Sequence, residues 1–452
     1  MNPAIFREYD IRGLVGKDLT EDVVEGVGRA YGTLIQQGAG KEVVVGRDVR
    51  LSSEALSKAL VKGITGTGCN VLDVGVVPTP VLYFSIIHYN KAGGVMVTGS
   101  HNPIEYNGLK LCRGLSSLYG EQIQKLREMI EGNEFLEGSG EVTTDNPVPA
   151  YMEEVLERIK VDRPLKVVID AGNGTAGNIA PELFRKLGCT VVELYCELDG
   201  RFPNHLPDPT IPEFLTDLID RVRLEKADVG IGLDGDGDRI GAIDAGGNII
   251  WGDKLLALFA REVLEKGKMK IIFDVKCSEG LVEDIISHGG IPLMWKTGHS
   301  LIKEKMGEEN APLAGEMSGH MFFADDYYGY DDAIFAGSRL LQLLSKTDKT
   351  LEQLVSEIPK YFTTPEIRLA CSDERKFRVV EEVKDYFKRK HETIDIDGVR
   401  IIFPDGWGLV RASNTQPVIV ARFEAKTEEK LGEIKDNVMT KLASLGVAPK
   451  TA

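Results

Sequence analysis

The fold is organised around the stretch Gly93-Gly94-Val95-Met96-Val97-Thr98-Gly99-Ser100-His101-Asn102-Pro103. The apolar run at residues 95–97 predicts a short buried strand that stops at the following glycine. Proline disfavours the helical conformation in the residue before it, so Pro103 predicts that a loop follows. This strand end presents the hydroxyl of Ser100 beside the imidazole of His101, and an adjacent base can make a hydroxyl nucleophilic. The alternative is a turn in which polar side chains satisfy backbone groups.

Strands and helices alternate on both sides of this stretch. Helical patterns lie between most of the predicted strands. Alternation of this kind predicts βαβ units with mixed, largely parallel sheets, whose ligands bind at the carboxyl ends of the strands. The predicted strands fall into three groups: residues 42–45, 69–77 and 95–97; then 165–170, 190–195 and 228–233; then 270–275, 291–295 and 312–314.

The chain changes character at Thr363-Thr364-Pro365. A charged helical pattern follows, then a hairpin pattern around Asp397-Gly398, two further strands and a closing helix. We therefore predict three related α/β domains and a smaller C-terminal α+β domain around one central cleft. The predicted limits are 1–150 for the domain with the Ser100 loop, 151–250 and 251–365 for the next two α/β domains, and 366–452 for the last.

Composition narrows the possible classes of function. The chain has 452 residues, 42% hydrophobic and 27% charged, which is typical of a soluble globular protein. A net charge of −16 disfavours nucleic acids and anionic membranes as partners. No apolar run approaches the ~18 residues of a membrane span, and no secretory signal pattern opens the chain. The six cysteines form no C-x-x-C pair, so we expect buried thiols and a cytoplasmic location.

Three aspartates alternate with glycines in the stretch Asp234-Gly235-Asp236-Gly237-Asp238-Arg239. Three carboxylates so close together repel one another unless a cation lies among them, and carboxylate oxygens suit a hard cation such as Mg²⁺. An EF-hand loop needs a glutamate at its twelfth position, where this chain has Ala245. The stretch therefore predicts a magnesium site, with Arg239 placed to hold a phosphoryl group, and the alternative is an acidic surface turn.

A second loop carries a guanidinium with several hydroxyl and amide groups. Arginine grips phosphate through two parallel hydrogen bonds, so this loop predicts a phosphate-binding site rather than a simple capped turn. Its candidate residues are Arg411, Ser413, Asn414 and Thr415.

A third loop has three polar residues at alternate positions, Glu316, Ser318 and His320. In an extended conformation they would point the same way, as a site for adjacent sugar hydroxyls requires. The alternative for His320 is a buried histidine with a structural role.

Two other segments leave a choice open. Residues 6–13 mix aromatic and charged side chains, which indicates a surface segment sending Tyr9 and Arg12 into the cleft, or an N-terminal arm held by salt bridges. Residues 172–177 fit the G-x-G-x-x-G pattern of dinucleotide-binding folds after a predicted strand. A dehydrogenase would not need the three aspartates, so the nucleotide interpretation is the weaker one.

Four of these motifs together resemble those of the α-D-phosphohexomutase family. They are residues 98–103, 234–239 and 315–320 with the stretch from Arg411 to Thr415, in the order in which the family has them. Glu316-Met317-Ser318 favours the branch that acts on mannose and glucose phosphates, because phosphoglucosamine mutases usually have glutamine at the middle position.

The resemblance implies reversible phosphoryl transfer between the 1- and 6-positions of hexose phosphates. A phosphoserine at Ser100 would exchange its phosphoryl group with the sugar through a hexose 1,6-bisphosphate, and glucose 1,6-bisphosphate would activate the enzyme. Magnesium would be held by Ser100, Asp234, Asp236 and Asp238. The catalytic residues would be Ser100, His101, Lys110, Arg239 and His320, with the general acid or base left open among His101, Lys110 and His320. Substrate contacts would be Tyr9, Arg12, Lys276, Gly298, His299, Glu316, Ser318, Arg411, Ser413, Asn414 and Thr415.

The expected partners are therefore small phosphosugars, and the expected state is a monomer or weak homodimer. Three alternatives stay open at this point. They are a phosphoglucosamine mutase, a nucleotide-binding oxidoreductase built on residues 172–177, and a non-catalytic phosphosugar-binding protein.

Overall fold

The computed structural model describes residues 1–38, 40–413 and 417–447. Three mixed α/β sheets follow one another along the chain, and a fourth, antiparallel sheet closes it. The predicted fold class is confirmed by this architecture. None of the described helices combines the length and the apolar composition that crossing a bilayer requires.

The first sheet has seven strands in the order β1-β5-β4-β2-β3-β7, with β6 beside β5. Strands β4, β2, β3 and β7 run parallel, and β5 is antiparallel to both β1 and β4. The strands are β1 (Ile11–Leu14), β2 (Glu42–Arg47), β3 (Asn70–Val76), β4 (Gly93–Val97), β5 (Tyr106–Arg113), β6 (Ser116–Ser117) and β7 (Val142–Thr144). The helices are α1 (Glu21–Gln36), α2 (Ser53–Thr65), α3 (Thr79–His88) and α4 (Glu121–Gly132).

The second sheet has five strands in the order β12-β11-β10-β8-β9, of which β10, β8 and β9 are parallel. The helices are α5 (Val148–Arg158), α6 (Ala180–Lys186) and α7 (Thr216–Glu225). The strands are β8 (Lys166–Asp170), β9 (Thr190–Leu194), β10 (Val229–Leu233), β11 (Ile240–Asp244) and β12 (Ile249–Ile250).

The third sheet has four strands in the order β14-β13-β15-β16, with only β16 antiparallel to its neighbour. The strands are β13 (Lys270–Asp274), β14 (Ile291–Trp295), β15 (Leu313–Gly315) and β16 (Met321–Phe323). The helices are α8 (Gly252–Leu264), α9 (Glu279–Ser287), α10 (His299–Glu309), α11 (Ala333–Ser345) and α12 (Leu351–Ser356).

The fourth sheet is antiparallel in the order β17-β22-β21-β20-β19, with β18 also on β22. The strands are β17 (Phe362–Thr363), β18 (Ile367–Ala370), β19 (Thr393–Ile394), β20 (Val399–Phe403), β21 (Gly406–Ala412) and β22 (Val418–Ala425). The helices are α13 (Asp373–Lys388) and α14 (Glu428–Ser444), and short 3₁₀ helices lie at Pro3–Ile5, Thr175–Asn178 and Pro212–Leu215 elsewhere in the chain.

The three α/β sheets share one apolar core. The largest cluster of buried apolar side chains runs from Val44 on β2 to Ile358 after α12 and includes residues packed on all three sheets. Smaller separate clusters also lie against each of the four sheets. The shared core fixes the α/β sheets relative to one another, so the loops at their strand ends meet at a defined distance.

The N-terminal segment differs from the expectation. Residues 11–14 form the edge strand β1 on β5 instead of a surface segment without strand structure. An alternating pattern of buried and half-buried side chains explains this, since Ile11 points into the core while Arg12 points out. The six cysteines are buried and free, as predicted.

Candidate active site

Ser100 lies in a buried turn at the end of β4. Its backbone has φ of 47°, the left-handed conformation that few non-glycine residues adopt. Asp48, at the end of β2, accepts hydrogen bonds from the Thr98 hydroxyl and the Gly99 N–H at 2.8 and 2.9 Å. Arg50 donates to four carbonyl groups of the same turn, including that of Ser100 at 2.9 Å. These contacts hold the turn, and Ser100 is 3% exposed rather than displayed on the surface.

The hydroxyl of Ser100 faces the aspartate loop of the second sheet. Its Oγ lies 2.8 Å from Oδ2 of Asp234 and 2.9 Å from Nδ1 of His101. The other oxygen of Asp234 accepts the N–H groups of Asp238 and Arg239, which curls the loop so that its three carboxylates converge. The predicted nucleophile and the predicted metal loop are therefore in contact.

Two residues of the first sheet bind the remaining aspartates. Lys110, opposite Met96 on the neighbouring strand β5, donates to Asp236 at 2.6 Å and to Asp238. The hydroxyl of Thr79, the first residue of α3, donates to Asp236 at 2.6 Å. The loop is thus held from the side of the first sheet by a lysine and a threonine.

Burial of so many charges shifts their pKa values. Burial, with Asp238 and Asp236 nearby, raises the pKa of Asp234 well above its ordinary range. Burial opposes ionisation of Asp236 and Lys110, but their mutual attraction prevails, so the pKa of Asp236 is lowered and that of Lys110 is raised. Burial and the neighbouring Arg239 lower the pKa of His101. Lys110 therefore stays charged at neutral pH, and His101 stays neutral.

The aspartate cluster fits a hard divalent cation. One oxygen from each of Asp234, Asp236 and Asp238 lies within 4.8 Å of the others. Among the described residues, Oδ1 of Asp236 and Oδ1 of Asp238 are buried without a hydrogen-bonding partner. An unpaired buried acceptor costs about 1–3 kcal/mol, which coordination of a cation by these oxygens would offset.

His320 lies on the other side of this cluster. Its Nε2 accepts a hydrogen bond of 3.0 Å from Nε of Arg239, and its Nδ1 lies 3.7 Å from Oδ1 of Asp238. The ring of His299 stacks on that of His320 with 5.6 Å between their centroids. His299 is the first residue of α10, so the start of this helix lies beside His320 and the aspartate cluster.

The sugar loop is a turn and not an extended strand, so the predicted alternation of its side chains is wrong. Glu316 and Gly319 are joined by a backbone hydrogen bond, and the N–H of Glu316 bonds the carbonyl of His320. In this turn Glu316 is buried and accepts the Gly298 N–H at 2.7 Å, whereas Ser318 is half-buried. Burial raises the pKa of Glu316.

A chain of contacts leads from Glu316 to the fourth sheet. The Tyr9 hydroxyl donates to the carbonyl of Thr297 at 2.7 Å, and the N–H of Thr297 donates to Asp397 at 3.2 Å. Asp397 in turn pairs with Arg411 through Nε and Nη2, each at 3.0 Å. Contacts thus run without a break from the Ser100 turn, through His320 and Gly298, to Arg411.

The other predicted contacts surround this path. Arg12 donates to Asn102 at 2.9 Å, beside the Ser100 turn, and Lys276 lies 3.2 Å from Glu366. Ser413 is buried at the end of β21. The predicted phosphate contacts Asn414 and Thr415 lie outside the described residues.

Family models match the chain over nearly its whole length. The models for the phosphoglucomutase/phosphomannomutase alpha/beta/alpha domains I, II and III match residues 3–137, 149–247 and 251–362, and the model for the C-terminal domain matches residues 366–441. The chain belongs to the phosphoglucomutase/phosphomannomutase family.

Relatives within this family are similar along the entire chain. A phosphomannomutase/phosphoglucomutase of Pseudomonas aeruginosa is 49% identical over 434 residues, which cover 96% of this chain and 94% of that protein. The crystal structure of a phosphoglucomutase/phosphomannomutase family protein of Burkholderia thailandensis has a TM-score of 0.92 at 43% identity and covers 99% and 98% of the two chains. An Aspergillus fumigatus N-acetylphosphoglucosamine mutase, solved with GlcNAc-6P and magnesium, shares the fold with a TM-score of 0.63 at 14% identity over 98% and 97%.

The glycine-rich stretch at residues 172–177 has a packing role in this phosphoglucomutase/phosphomannomutase fold. A Cβ on Gly174 would lie 2.7 Å from the Gly235 carbonyl oxygen, and one on Gly177 would lie 2.2 Å from that of Cys196. The N–H of Thr175, which a nucleotide phosphate would need, donates instead to Gly235 at 3.0 Å. The stretch supports the aspartate loop, and the nucleotide interpretation loses its structural basis.

Several residues that contact the Ser100 turn, the aspartate loop or His320 were not identified from the sequence. Asp48 and Arg50 follow a predicted strand as polar residues at its carboxyl end, so their position alone was a usable signal. Thr79 gave no local signal, because it meets the aspartate loop only through the packing of the first sheet against the second, and Asp331 gave none because it reaches His320 through a backbone bridge to β16 that no sequence pattern marks.

Proposed function

We propose that the chain interconverts the 1-phosphates and 6-phosphates of glucose and mannose through a phosphoserine at Ser100. The relatives that are 44–49% identical over nearly the whole chain are named phosphomannomutase/phosphoglucomutase or phosphoglucomutase. The observation that carries the proposal is the contact of Ser100 Oγ with Asp234 at 2.8 Å, which places a buried hydroxyl against the acidic cluster.

The reaction would need little covalent machinery beyond this serine. Phosphoryl transfer depends mainly on alignment and on neutralising the charge of the moving group. Lys110 and Arg239 supply fixed positive charge beside Ser100, and Mg²⁺ held by Asp234, Asp236, Asp238 and the phosphoserine would polarise the phosphoryl oxygens when bound.

His320 is the base that the geometry supports best. Lys110 is engaged by two aspartates and its pKa is raised, so it does not accept a proton at neutral pH. His101 contacts the Ser100 hydroxyl and serves the serine itself. Nε2 of His320 is an acceptor, which Arg239 occupies at 3.0 Å in this structure and which would take the proton of an attacking sugar hydroxyl once Arg239 binds the phosphoryl group.

Recognition of the sugar would follow the path from Glu316 to Arg411. Glu316 and Ser318 would bind the 3- and 4-hydroxyls, which glucose and mannose share, so the 2-hydroxyl that differs stays unread. Tyr9, Arg12, Lys276, Gly298, His299, Arg411, Ser413, Asn414 and Thr415 would bind the ring and the phosphate that does not react. After each transfer the hexose 1,6-bisphosphate would turn round in the cleft, and the same compound would prime the serine. A cytoplasmic location and a monomeric or weakly dimeric state stay predictions.

Replacement of the nucleophile tests this function. We expect Ser100→Ala to lose mutase turnover by at least about 10³-fold, since the covalent step has no substitute. The assay converts glucose 1-phosphate and mannose 1-phosphate with Mg²⁺ and glucose 1,6-bisphosphate, with glucosamine 6-phosphate as the substrate of the alternative mutase. Intact mass should show one phosphate on the wild type and on the exposed-serine control Ser116→Ala, but none on Ser100→Ala. Wild-type turnover by Ser100→Ala would overturn the proposal.

A further inference from the structure

Asp331 is a buried carboxylate beside the active site that no sequence motif pointed to. It is 0% exposed and lies between β16 and α11, where it forms a backbone bridge with Phe322. Its Oδ2 is 3.1 Å from Nδ1 of His320, and its Oδ1 is 3.5 Å from Nζ of Lys303. Its neighbour Asp332 instead caps α11 by accepting the Phe335 N–H. The two adjacent aspartates therefore serve different neighbours.

The hydrogen bond from Arg239 identifies the tautomer of His320. A guanidinium has donors and no acceptor, so Nε2 of His320 must use its lone pair to accept the 3.0 Å bond from Arg239. A neutral imidazole has one protonated nitrogen, which must then be Nδ1. The Nδ1–H lies on the side of Asp331 Oδ2, at 3.1 Å.

The burial of these atoms makes their pairing necessary. Among the described residues, Nδ1 of His320 and both oxygens of Asp331 have no well-aligned hydrogen bond, so the 3.1 Å contact between Nδ1 and Oδ2 is the close ion-pair contact that these buried atoms share. All three atoms are shielded from water, and leaving a buried polar group unpaired is costly. The pairing also satisfies the charge of Asp331, whose other neighbours are Lys303 and, at 3.6 Å, Nδ1 of His299.

The same atoms do not form a second metal site. Asp238, His320 and Asp331 lie close enough together to hold an ion. A metal would need the lone pair of Nδ1, and the bond from Arg239 leaves Nδ1 with its proton instead. The geometry therefore favours a carboxylate–histidine pair over a cation at this position.

We propose that Asp331 is a positioning residue, which holds His320 as its Nδ1–H tautomer so that the lone pair lies on Nε2, where it can accept a proton once Arg239 releases it and turns to the phosphoryl group. The proposal rests on the function proposed above. When a sugar hydroxyl attacks the phosphoserine, its O–H proton passes to Nε2 of His320 while the new O–P bond forms. The Ser100 Oγ–P bond breaks, and its electron pair stays on Oγ. Asp331 remains a carboxylate and pairs with the imidazolium, which returns the proton from Nε2 in the reverse step.

Asp331→Asn in the full-length protein, with Asp332→Asn as the matched control, tests this role. Asparagine keeps the volume of Asp331 but not its charge. We expect kcat to fall about 10- to 100-fold with a smaller change in KM, because Asp331 lies 3.1 Å from His320 and farther, at 3.6 Å, from the proposed substrate contact His299. Asp332→Asn should keep kcat within about twofold, because Asp332 accepts from the Phe335 N–H and from the hydroxyls of Tyr151 and Tyr327 rather than contacting His320, and thermal unfolding should show that both variants are folded. A fall in kcat of the same size in both variants would overturn the proposal.

A double-mutant cycle separates positioning from general damage. If Asp331 acts through His320, Asp331→Asn should lower kcat by less than about twofold once His320→Gln is present. An equal loss in the two backgrounds would show that Asp331 acts by another route and would overturn the proposal.

Nuclear magnetic resonance tests the tautomer without any turnover. In ¹⁵N-histidine-labelled wild type, with the signals of His320 assigned through His320→Gln, we expect Nδ1 protonated and Nε2 unprotonated. Asp331→Asn should remove this preference, whereas Asp332→Asn should keep it. A wild type protonated at Nε2 would overturn the pairing even if the enzyme is active. An inactive wild type with the expected tautomer would instead contradict the proposed function alone.

Discussion

Buried cations of the candidate site are held by carboxylates. Lys276 is an example: it lies 3.2 Å from Glu366 and 3.6 Å from Asp274. The attraction of Lys276, opposed by burial, lowers the pKa of Glu366 from 4.5 to about 2. A sugar phosphate that binds Lys276 must compete with this pair, so the pair sets both local stability and the state of a substrate contact.

The difference in stability between the wild type and Glu366→Gln should depend on pH in one direction. The folded pKa lies below the unfolded one, so the pair stabilises the protein fully above about pH 4.5 and loses this effect as the pH falls toward 2. The shift corresponds to about 3 kcal/mol, which we reduce to about 2 kcal/mol because the side chain of Glu366 is 27% exposed.

Urea unfolding at several pH values measures the stabilisation that the Lys276–Glu366 pair contributes. Glu366→Gln should be less stable than wild type by about 2 kcal/mol at pH 7 and at pH 5, with the gap narrowing below about pH 4.5. The exposed control Glu392→Gln should stay within about 0.5 kcal/mol throughout. A gap that stays constant down to pH 3.5 would argue against a charge effect.

At the scale of elements, the start of α10 joins three loops of the site. Gly298 caps this helix with φ of 131°, a conformation that side chains rarely adopt. Its N–H binds Glu316, and the next residue, His299, stacks on His320. A Cβ at this position would lie 2.7 Å from the ring of Tyr9, so the absence of a side chain lets the N-terminal segment pack here.

Gly298→Ala should therefore impair catalysis as well as stability. The methyl group must push Tyr9 away and shift Thr297, and displacements of this size in a site cost about 10- to 100-fold in kcat/KM. Gly289→Ala is the matched control, because Gly289 also has positive φ, at 79°, but nothing lies within 4 Å of its Cβ position.

The comparison is made by steady-state kinetics and thermal unfolding of both variants. Gly289→Ala should lose about 1 kcal/mol of stability and keep its kcat/KM. If the two variants lose activity equally, backbone strain rather than the contact with Tyr9 is the cause.

The sequence predicted elements better than it predicted contacts between them. Strands such as β14 at Ile291–Trp295 were predicted at their observed bounds, because apolar runs bounded by turn residues have local causes. Residues 11–14 were not expected to be a strand, since their charged neighbours hid the alternation that pairs them with β5. Alternate spacing in the loop from Glu316 to His320 was taken for an extended segment, although its backbone bonds close a turn.

At the scale of the whole molecule, long-range contacts join sheets that no local pattern connects. Arg400 on β20 is fully buried and donates to the carbonyls of Val275 and Cys277 at 3.0 and 2.9 Å. Its guanidinium also lies 3.9 Å from the ring centre of Trp407. These bonds attach the fourth sheet to the loop that carries Lys276. Composition and periodicity contain no information on such pairs, which is why Arg400 emerges only from the structure.

The aspartate cluster also joins two sheets, so Mg²⁺ should stabilise the molecule as a whole. Ser100, Thr79 and Lys110 of the first sheet all contact aspartates of the second. A cation that binds the folded protein and not the unfolded chain adds about 2.7 kcal/mol of stability at 100 times its Kd. We expect EDTA to lower the thermal midpoint of the wild type and to abolish turnover, and Mg²⁺ to restore both.

Asp236→Asn and Ser116→Ala distinguish this effect from a general effect of salt. Asp236→Asn removes one of three converging charges and an oxygen that is unpaired among the described residues, so Mg²⁺ should no longer raise its midpoint. Without metal, this variant should lose stability, because Asp236 accepts from Lys110 and Thr79 at 2.6 Å each, so the readout is the change of its midpoint with Mg²⁺ and not the midpoint itself. Ser116 is exposed and pairs with Arg113 on β5, not with the aspartate loop. Ser116→Ala should therefore respond to Mg²⁺ as the wild type does. An equal rise in the midpoints of wild type and Asp236→Asn would place the stabilising cation elsewhere on the protein.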